Sequence, residues 1–322
     1  MQKLSFFKLP FIFVVLLTIS KLLVTMIGFI IIFWDVLDNY SYLWSIGRDY
    51  IVFQLFYLIP DCLLFFVVAS IALYRINIHI ITLKNIGLLV INIFFINVLG
   101  FLLDKCQQIA YVYILDDIID SVLKSFIFIQ IIVVFTLLYF SLASLLTYYY
   151  IKLFGDWFDK SKQAFELTQY NSPKIHFILF LAFFFFLFIM FASFLKRLNI
   201  QLNEQNFHFS YWSNLLLPLI IYLINFLIVI FLTKNLFKRT FVVLQSDRII
   251  KSATVINVLI LLINIILWVI QFNTYYFISW FDNIDTVFML LSPTFTFLLS
   301  LVLSCLIIRY VTKYYFANPP RG

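Results

Sequence analysis

The sequence predicts an all-α, polytopic transmembrane bundle of about eight spans with both termini cytoplasmic. Three observations predict it: composition, the spacing of apolar runs, and the asymmetry of charge between loops. Of 322 residues, 64% are hydrophobic and 11% charged, and mean hydropathy is +1.06. A water-soluble domain is nearer half apolar and a quarter charged, so folding in water is excluded. Apolar runs recur at about 9–34, 51–74, 80–103, 125–151, 174–195, 211–233, 253–280 and 287–312. Each is long enough to cross a bilayer, for which about 20 apolar residues suffice. With the N-terminus inside, sixteen Lys and Arg fall on the inner side. Five fall outside, namely Arg48, Lys105, Lys124, Lys196 and Arg197, and Lys21 lies within the membrane. Inner loops carry the excess of basic residues, so this split fixes the orientation. The net charge of +7 reflects that asymmetry rather than a nucleic-acid partner.

The first span carries Lys21 near its middle. Thr18, Lys21, Thr25 and Gly28 follow a three–four–three spacing and share one helical face. The run is too long for a signal-peptide core and has no small-residue cleavage pattern, so a retained helix is expected. The second span carries Asp61 near its middle, with Gln54 and Tyr57 on the same face. Pro60 removes one helical hydrogen bond and permits a kink. A charge at mid-membrane costs about 2.5–3.5 kcal/mol. Two opposite charges at similar depth on consecutive helices are therefore expected to face each other. Such a pair can lock two helices, or it can relay protons or ions. The remaining reading has no contact, with Lys21 reaching toward the interface or Asp61 protonated.

The other spans carry weaker polar signals. In the third, Asn85 and Asn92 lie seven residues apart, with Asn97 nearby. The fourth offers Ser141, Ser144 and Thr147 as a small-residue packing face. The fifth, Phe177–Phe194, has almost no polar residue and is expected at the periphery, facing lipid. In the sixth, Asn214, Pro218 and Asn225 share a side. In the seventh, Asn257, Asn264 and Gln271 recur every seven residues. In the eighth, Ser292, Thr296, Ser300 and Ser304 recur every four, with Pro293 near the outer end. Amides in membrane helices either bond to neighbours or line a polar cavity. The expected intramembrane polar core is thus Lys21, Asp61, Gln54, Asn92, Asn225, Asn257, Asn264 and Gln271.

Inner loops 153–167 and 236–251 mix aromatic and basic residues and suit surface helices on an anionic leaflet. The outer loop 104–124 is acidic and amphipathic. The chain reads as a single integral membrane domain. Splitting it into 1–151 and 174–313 gives four spans per half, with Pro60 and Pro218 in the second span of each. That would be a parallel repeat, since an even number of spans preserves orientation.

Asp116-Asp117-Ile118-Ile119-Asp120 resembles the DDxxD motif of prenyltransferases and terpene synthases. In those families the carboxylates hold Mg²⁺ against a diphosphate, which requires several hard oxygen ligands on one cation. Asp282 and Asp285 form a second acidic pair in another outer loop and could converge with the first. The resemblance implies an Mg²⁺-dependent membrane enzyme acting on a lipid or prenyl diphosphate. It covers five residues, and no Asn precedes the aspartates, where Ile114 and Leu115 stand. The other reading is an amphipathic segment with wet aspartates and buried Ile118 and Ile119.

The inventory excludes several chemistries. His79, His176 and His208 all lie near membrane ends, so paired haem ligation inside helices is excluded. HExxH, Walker A and nucleophile-elbow motifs are absent. Cys62, Cys106 and Cys305 are too few and scattered for a disulfide framework. The 42 Phe beside 6 Gly point to AT-rich coding, so no aromatic site is read from them. The leading expectation is a non-enzymatic, permease-like transporter, or a membrane subunit of a larger assembly, in a bacterial inner membrane. No cofactor is expected for it, and its partners are the bilayer, other membrane subunits and an unknown small molecule. A membrane scaffold is the third class.

Overall fold

The computed structural model describes residues 5–32, 40–115, 121–158, 165–202, 211–238, 240–278 and 286–317. The described residues form eight helices and no strand. They are α1 (Ser5–Ile32), α2 (Tyr40–Arg75), α3 (Leu83–Leu115), α4 (Ser121–Phe158), α5 (Ser172–Leu202), α6 (Tyr211–Thr233), α7 (Ser246–Ile278) and α8 (Thr286–Phe316). Seven of them hold an apolar stretch long enough to cross a membrane. In α6 the described apolar stretch is the shorter Leu223–Thr233. The protein is a helical transmembrane bundle.

Several helices outrun the hydrocarbon. At 1.5 Å per residue, the 36 residues of α2 and 38 of α4 reach roughly 54 and 57 Å, against about 30 Å of bilayer core. The expected 104–124 loop is mostly helix, because α3 continues to Leu115 and α4 begins at Ser121. No Gly or Pro interrupts 104–115. Lys105 Nζ donates to Gln108 Oε1 at 3.0 Å, and Gln107 Nε2 donates to the Tyr111 hydroxyl, both one turn apart. Likewise α2 runs on through Pro60.

The backbone divides into two compact units. One comprises Met1–Glu166 with Ala192–Leu215; the other comprises Leu167–Phe191 with Leu216–Gly322. In the first, α1 packs on α2 and α3, and α4 packs on α2 and α3. Leu9, Phe13 and Leu17, four residues apart, form the buried stripe of α1. They join Phe65, Ala69 and Ala72 of α2, Leu88, Leu89, Ile93 and Ile96 of α3, and Ala143 and Ile151 of α4 in one core. Ala69, Ala72 and Ala143 let the backbones approach closely, which is how helices associate where no hydrophobic effect drives them together.

The α2–α3 connection is built by local rules. Asn77 adopts a left-handed conformation, φ 59°. Its N–H bonds Tyr74 O at 3.1 Å and the Ile78 N–H bonds Leu73 O at 3.0 Å, closing α2 with a Schellman motif. Thr82 Oγ1 then accepts the Asn85 N–H at 3.1 Å and caps α3. Ile76 of this turn lies over Gly155 on α4, where a Cβ would collide with the Ile76 Cδ1. Residues 153–158, read from sequence as the start of a surface helix, are instead the last turns of α4.

In the second unit α7 packs on α8, and α5 is central rather than peripheral. Leu179, Phe180, Phe184, Phe185 and Ile189 of α5 are buried. The expectation of a lipid-facing fifth span is therefore corrected. A helix that is apolar all round buries as readily in protein as in lipid, so its lack of polar residues does not decide the matter. Its contacts run through rings: Phe185 meets Phe226 of α6 at 5.0 Å, and Phe180 meets Phe316 of α8 at 6.0 Å.

The expected surface helix over 236–251 is also corrected. The chain before Ser246 is non-helical where described, and α7 starts at Ser246. Two side chains at the start of α5 hold this segment. Ser172 Oγ donates to Phe241 O at 2.9 Å and accepts the Phe241 N–H at 3.0 Å. His176 Nε2 accepts the Gln245 N–H at 3.0 Å, so its proton sits on Nδ1 and is donated to Ser172 O at 2.7 Å. Backbone groups satisfied this way have no need of a helix. His176→Leu leaves the Gln245 N–H buried and unpaired, and thermal unfolding in detergent is expected to register a loss of about 1–3 kcal/mol. Phe231→Ala, at a ring 83% exposed, should change stability by less than about 0.5 kcal/mol. Equal losses would refute the clamp.

Candidate functional site

The site lies in the first unit, where α1, α2 and α4 bring three polar groups together inside the apolar core. The Lys21 ammonium of α1 donates a short hydrogen bond to Asp61 Oδ2 of α2. It also donates to the Tyr139 hydroxyl of α4 at 2.5 Å, and lies 4.7 Å from the centre of that ring. The Lys21 side chain keeps 19% of its surface exposed and the Asp61 side chain 8%. Lys21 is thus shared between a carboxylate and a phenol at a point where three helices meet. Each bond there strengthens as water is excluded, and each orphaned partner would be costly for the same reason.

Neighbouring groups extend this centre. The Thr18 hydroxyl donates to Val14 O at 2.8 Å and lies 3.2 Å from the Cys62 thiol. A hydroxyl has one proton, so Cys62 is the donor of that second contact. Asn97 Nδ2 of α3 donates to Ser20 Oγ of α1 at 2.6 Å, tying the third helix to the first at the same level. Gly28 takes no part; no described atom lies within 4 Å of where its Cβ would stand.

The other amides of the sequence-predicted polar core are placed as follows. Asn92 is wholly buried on α3, and neither its Nδ2 nor its Oδ1 has a hydrogen-bond partner. Asn257 donates to Ala253 O at 2.9 Å and across to Phe184 O of α5 at 3.3 Å. Asn264 donates to Ile260 O at 2.8 Å and accepts from Ser300 Oγ of α8 at 2.7 Å. These last two amides join helices of the second unit. Asn225 and Gln271 are half-buried on α6 and α7. Gln54 lies within α2, but its side chain falls outside the described residues. Asp116, Asp117, Asp120, Asp282 and Asp285, the candidate Mg²⁺ ligands, also fall outside them. Among the described residues no group of three or more His, Cys, Asp or Glu is placed to hold a metal ion.

Sequence reasoning overlooked Tyr139. The signal was depth: Tyr139 is the first residue with a polar head group after Thr136 in the fourth apolar run, and it stands near the middle of that run, as Lys21 and Asp61 do in theirs. Removing one member of a buried ion pair leaves an uncompensated charge and costs about 3–5 kcal/mol. Lys21→Met and Asp61→Asn are each expected to lower stability in detergent by that order, and the double variant to recover most of it. Tyr139→Phe should cost about 0.5–1.5 kcal/mol. Additive losses in the double variant would show that the two charges do not depend on each other.

Compared with family profiles, with curated proteins and with solved structures, the chain finds no match.

Proposed function

We propose that this chain is a permease-like membrane protein in which the Lys21–Asp61 pair opens and closes as Asp61 takes up and releases a proton. One observation carries the reading: a lysine inside the hydrocarbon bonds both a carboxylate and a phenol, each from a different helix. Ionisable groups inside membranes are expensive and belong to ion and proton pathways. When Asp61 is charged, Lys21 is held between α2 and α4. When Asp61 is protonated, the attraction falls and Lys21 rests on Tyr139, which accepts its hydrogen bond in either state. The helices α1, α2 and α4 then have two arrangements that differ by one proton, which is what coupled transport requires. The same device serves a membrane subunit of a larger assembly, whose partner would supply the substrate.

We place the protein in a bacterial inner membrane with both ends in the cytoplasm, on the basis of its basic inner loops. Cys106 is exposed near the end of α3 that this orientation puts outside, whereas Cys62 and Cys305 lie half-buried in α2 and α8. A membrane-impermeant maleimide added to intact cells is expected to label Cys106. Labelling only after the membrane is opened would reverse the orientation.

Proton coupling is tested in proteoliposomes loaded with a pH-sensitive dye. An imposed pH gradient should drive proton uptake by the wild type, and Asp61→Asn should abolish it while the protein still inserts. Lys21→Arg keeps the charge but not the compact ammonium and should slow uptake. Wild-type vesicles no leakier than empty ones would sink the reading.

A further inference from the structure

The core of the first unit contains polar atoms that its helices do not satisfy. Asn92 Nδ2 and Oδ1 on α3, and Ser144 Oγ and Thr147 Oγ1 on α4, are all shielded from solvent and lack a hydrogen-bond partner. Asn92 and Thr147 are wholly buried. These groups are spaced along one interface, that of α3 and α4. Helices α3 and α4 run antiparallel, and their register is fixed by four contacts. Gly100 meets Tyr139, Gly87 meets Phe158, Phe95 meets Tyr150, and Tyr111 meets Phe128. The two contacts that flank it, Gly87 with Phe158 and Phe95 with Tyr150, put Asn92 opposite residue 153, about 9 Å beyond Thr147 toward the α2–α3 turn. Ser144 precedes Thr147 by three residues and follows Tyr139 by five, about 4.5 and 7.5 Å along the axis. Polar groups therefore continue in steps from Lys21 and Asp61, through Tyr139, Ser144 and Thr147 to Asn92, along the α3–α4 interface toward the α2–α3 turn.

The chemistry of these atoms selects what satisfies them. An amide presents two donors and an acceptor, and each hydroxyl one donor and an acceptor. A bare cation would satisfy the oxygens but leave the Asn92 amino group unpaired, and an anion would leave its carbonyl oxygen unpaired. Water is both donor and acceptor, and a buried water makes about three hydrogen bonds to groups of this kind.

We propose that Asn92, Thr147 and Ser144 bind internal water, and that this hydrated stretch is the proton route between the Lys21–Asp61 pair and the end of the bundle bearing the α2–α3 turn. The inference rests on the proton-coupled reading above and gives it a direction. Uptake of one proton then balances bond by bond. Lys21 Nζ–H passes to Asp61 Oδ2, Tyr139 Oη–H passes to Lys21 Nζ, and a water O–H passes to Tyr139 Oη. Each donor is reprotonated by the next, and the chain ends on a hydronium that becomes water. The result is neutral Asp61 beside a still-charged Lys21. The titratable groups facing the pair are Tyr139 on α4 and Cys62 on α2, with Asp104 of α3 further away. Asp104 is exposed and lies on the opposite side of Tyr139 from Ser144 along the bundle.

The test uses the full chain in nanodiscs and in proteoliposomes. Radiolytic hydroxyl-radical footprinting labels side chains next to buried water. Ile93 and Tyr150, both buried between the levels of Thr147 and Asn92, should be labelled well above Leu179 and Phe180, which are comparably buried in the second unit. In Asn92→Leu with Thr147→Val that labelling should fall to the level of the two controls, and dye-reported proton uptake should be lost. Melting temperature should not drop, since apolar side chains of equal shape replace groups with no protein partner. Ser144→Ala, which removes one oxygen only, should slow uptake and serves if the double variant does not insert. Background labelling of Ile93 and Tyr150 in the wild type would overturn the hydrated site. Labelling lost while uptake persists would overturn the route. Labelling present while the wild type takes up no protons at all would overturn the permease reading and, with it, the route.

Discussion

Hydrocarbon cannot solvate a charge, and the packing of the first unit follows from that constraint. The partners that the Lys21 ammonium takes in place of water both lie on other helices. Lys21 reaches Asp61 on α2 and Tyr139 on α4, and α1 is therefore fixed in rotation against both. The apolar stripe of Leu9, Phe13 and Leu17 then turns inward on the same helix. Hydrophobic burial does not by itself choose that face, because lipid tails are as apolar as Phe65 or Leu88. The polar contact supplies the direction, and the small residues Ala69, Ala72 and Ala143 supply the close approach.

The two units treat buried polar groups differently. In the second, Asn257, Asn264, Ser172 and His176 each find backbone or hydroxyl partners. Among its described residues only Thr312 keeps a buried side-chain oxygen without one. That pattern is what holds helices together in lipid: each amide spans from one helix to the next. In the first unit the charged pair is satisfied, yet Asn92, Ser144 and Thr147 are not. Leaving a buried donor or acceptor unmade costs about 1–3 kcal/mol, so three such residues in one interface are not explained by helix packing.

The fold was legible because it rests on counts that survive error. Eight apolar runs are visible whatever their boundaries, and lipid leaves helices as the natural solution for them. The meeting of Lys21 and Asp61 could be read because both charges sit at similar depth, and depth is a function of sequence position in a spanning helix. What sequence could not show was which side of a featureless helix meets protein. The fifth span is apolar on every side, so its burial is decided by the rings of Phe226, Phe237 and Phe316 and by nothing in its own pattern. The 236–245 segment was misread for a related reason. Its amphipathic composition fits a surface helix, but His176 and Ser172, some seventy residues earlier, offer its backbone better partners. Tyr139 was overlooked because tyrosine is common here, 19 in all, and a common residue carries little signal until a partner is placed beside it.

Stability alone does not account for a lysine and an aspartate at this position. A buried ion pair replaced by well-packed apolar residues of similar volume is often no less stable, and a leucine pair would join α1 to α2 without any desolvation cost. What an apolar pair cannot do is change its attraction when one proton arrives. Tyr139 serves both readings. A lock gains from it, since the Lys21 ammonium has three N–H donors to satisfy and Asp61 takes one. A relay needs the second acceptor, because Lys21 must have somewhere to rest when Asp61 is neutral. With both acceptors in reach of one ammonium, the arrangement meets the requirement of the proposed relay while it also satisfies the buried charge.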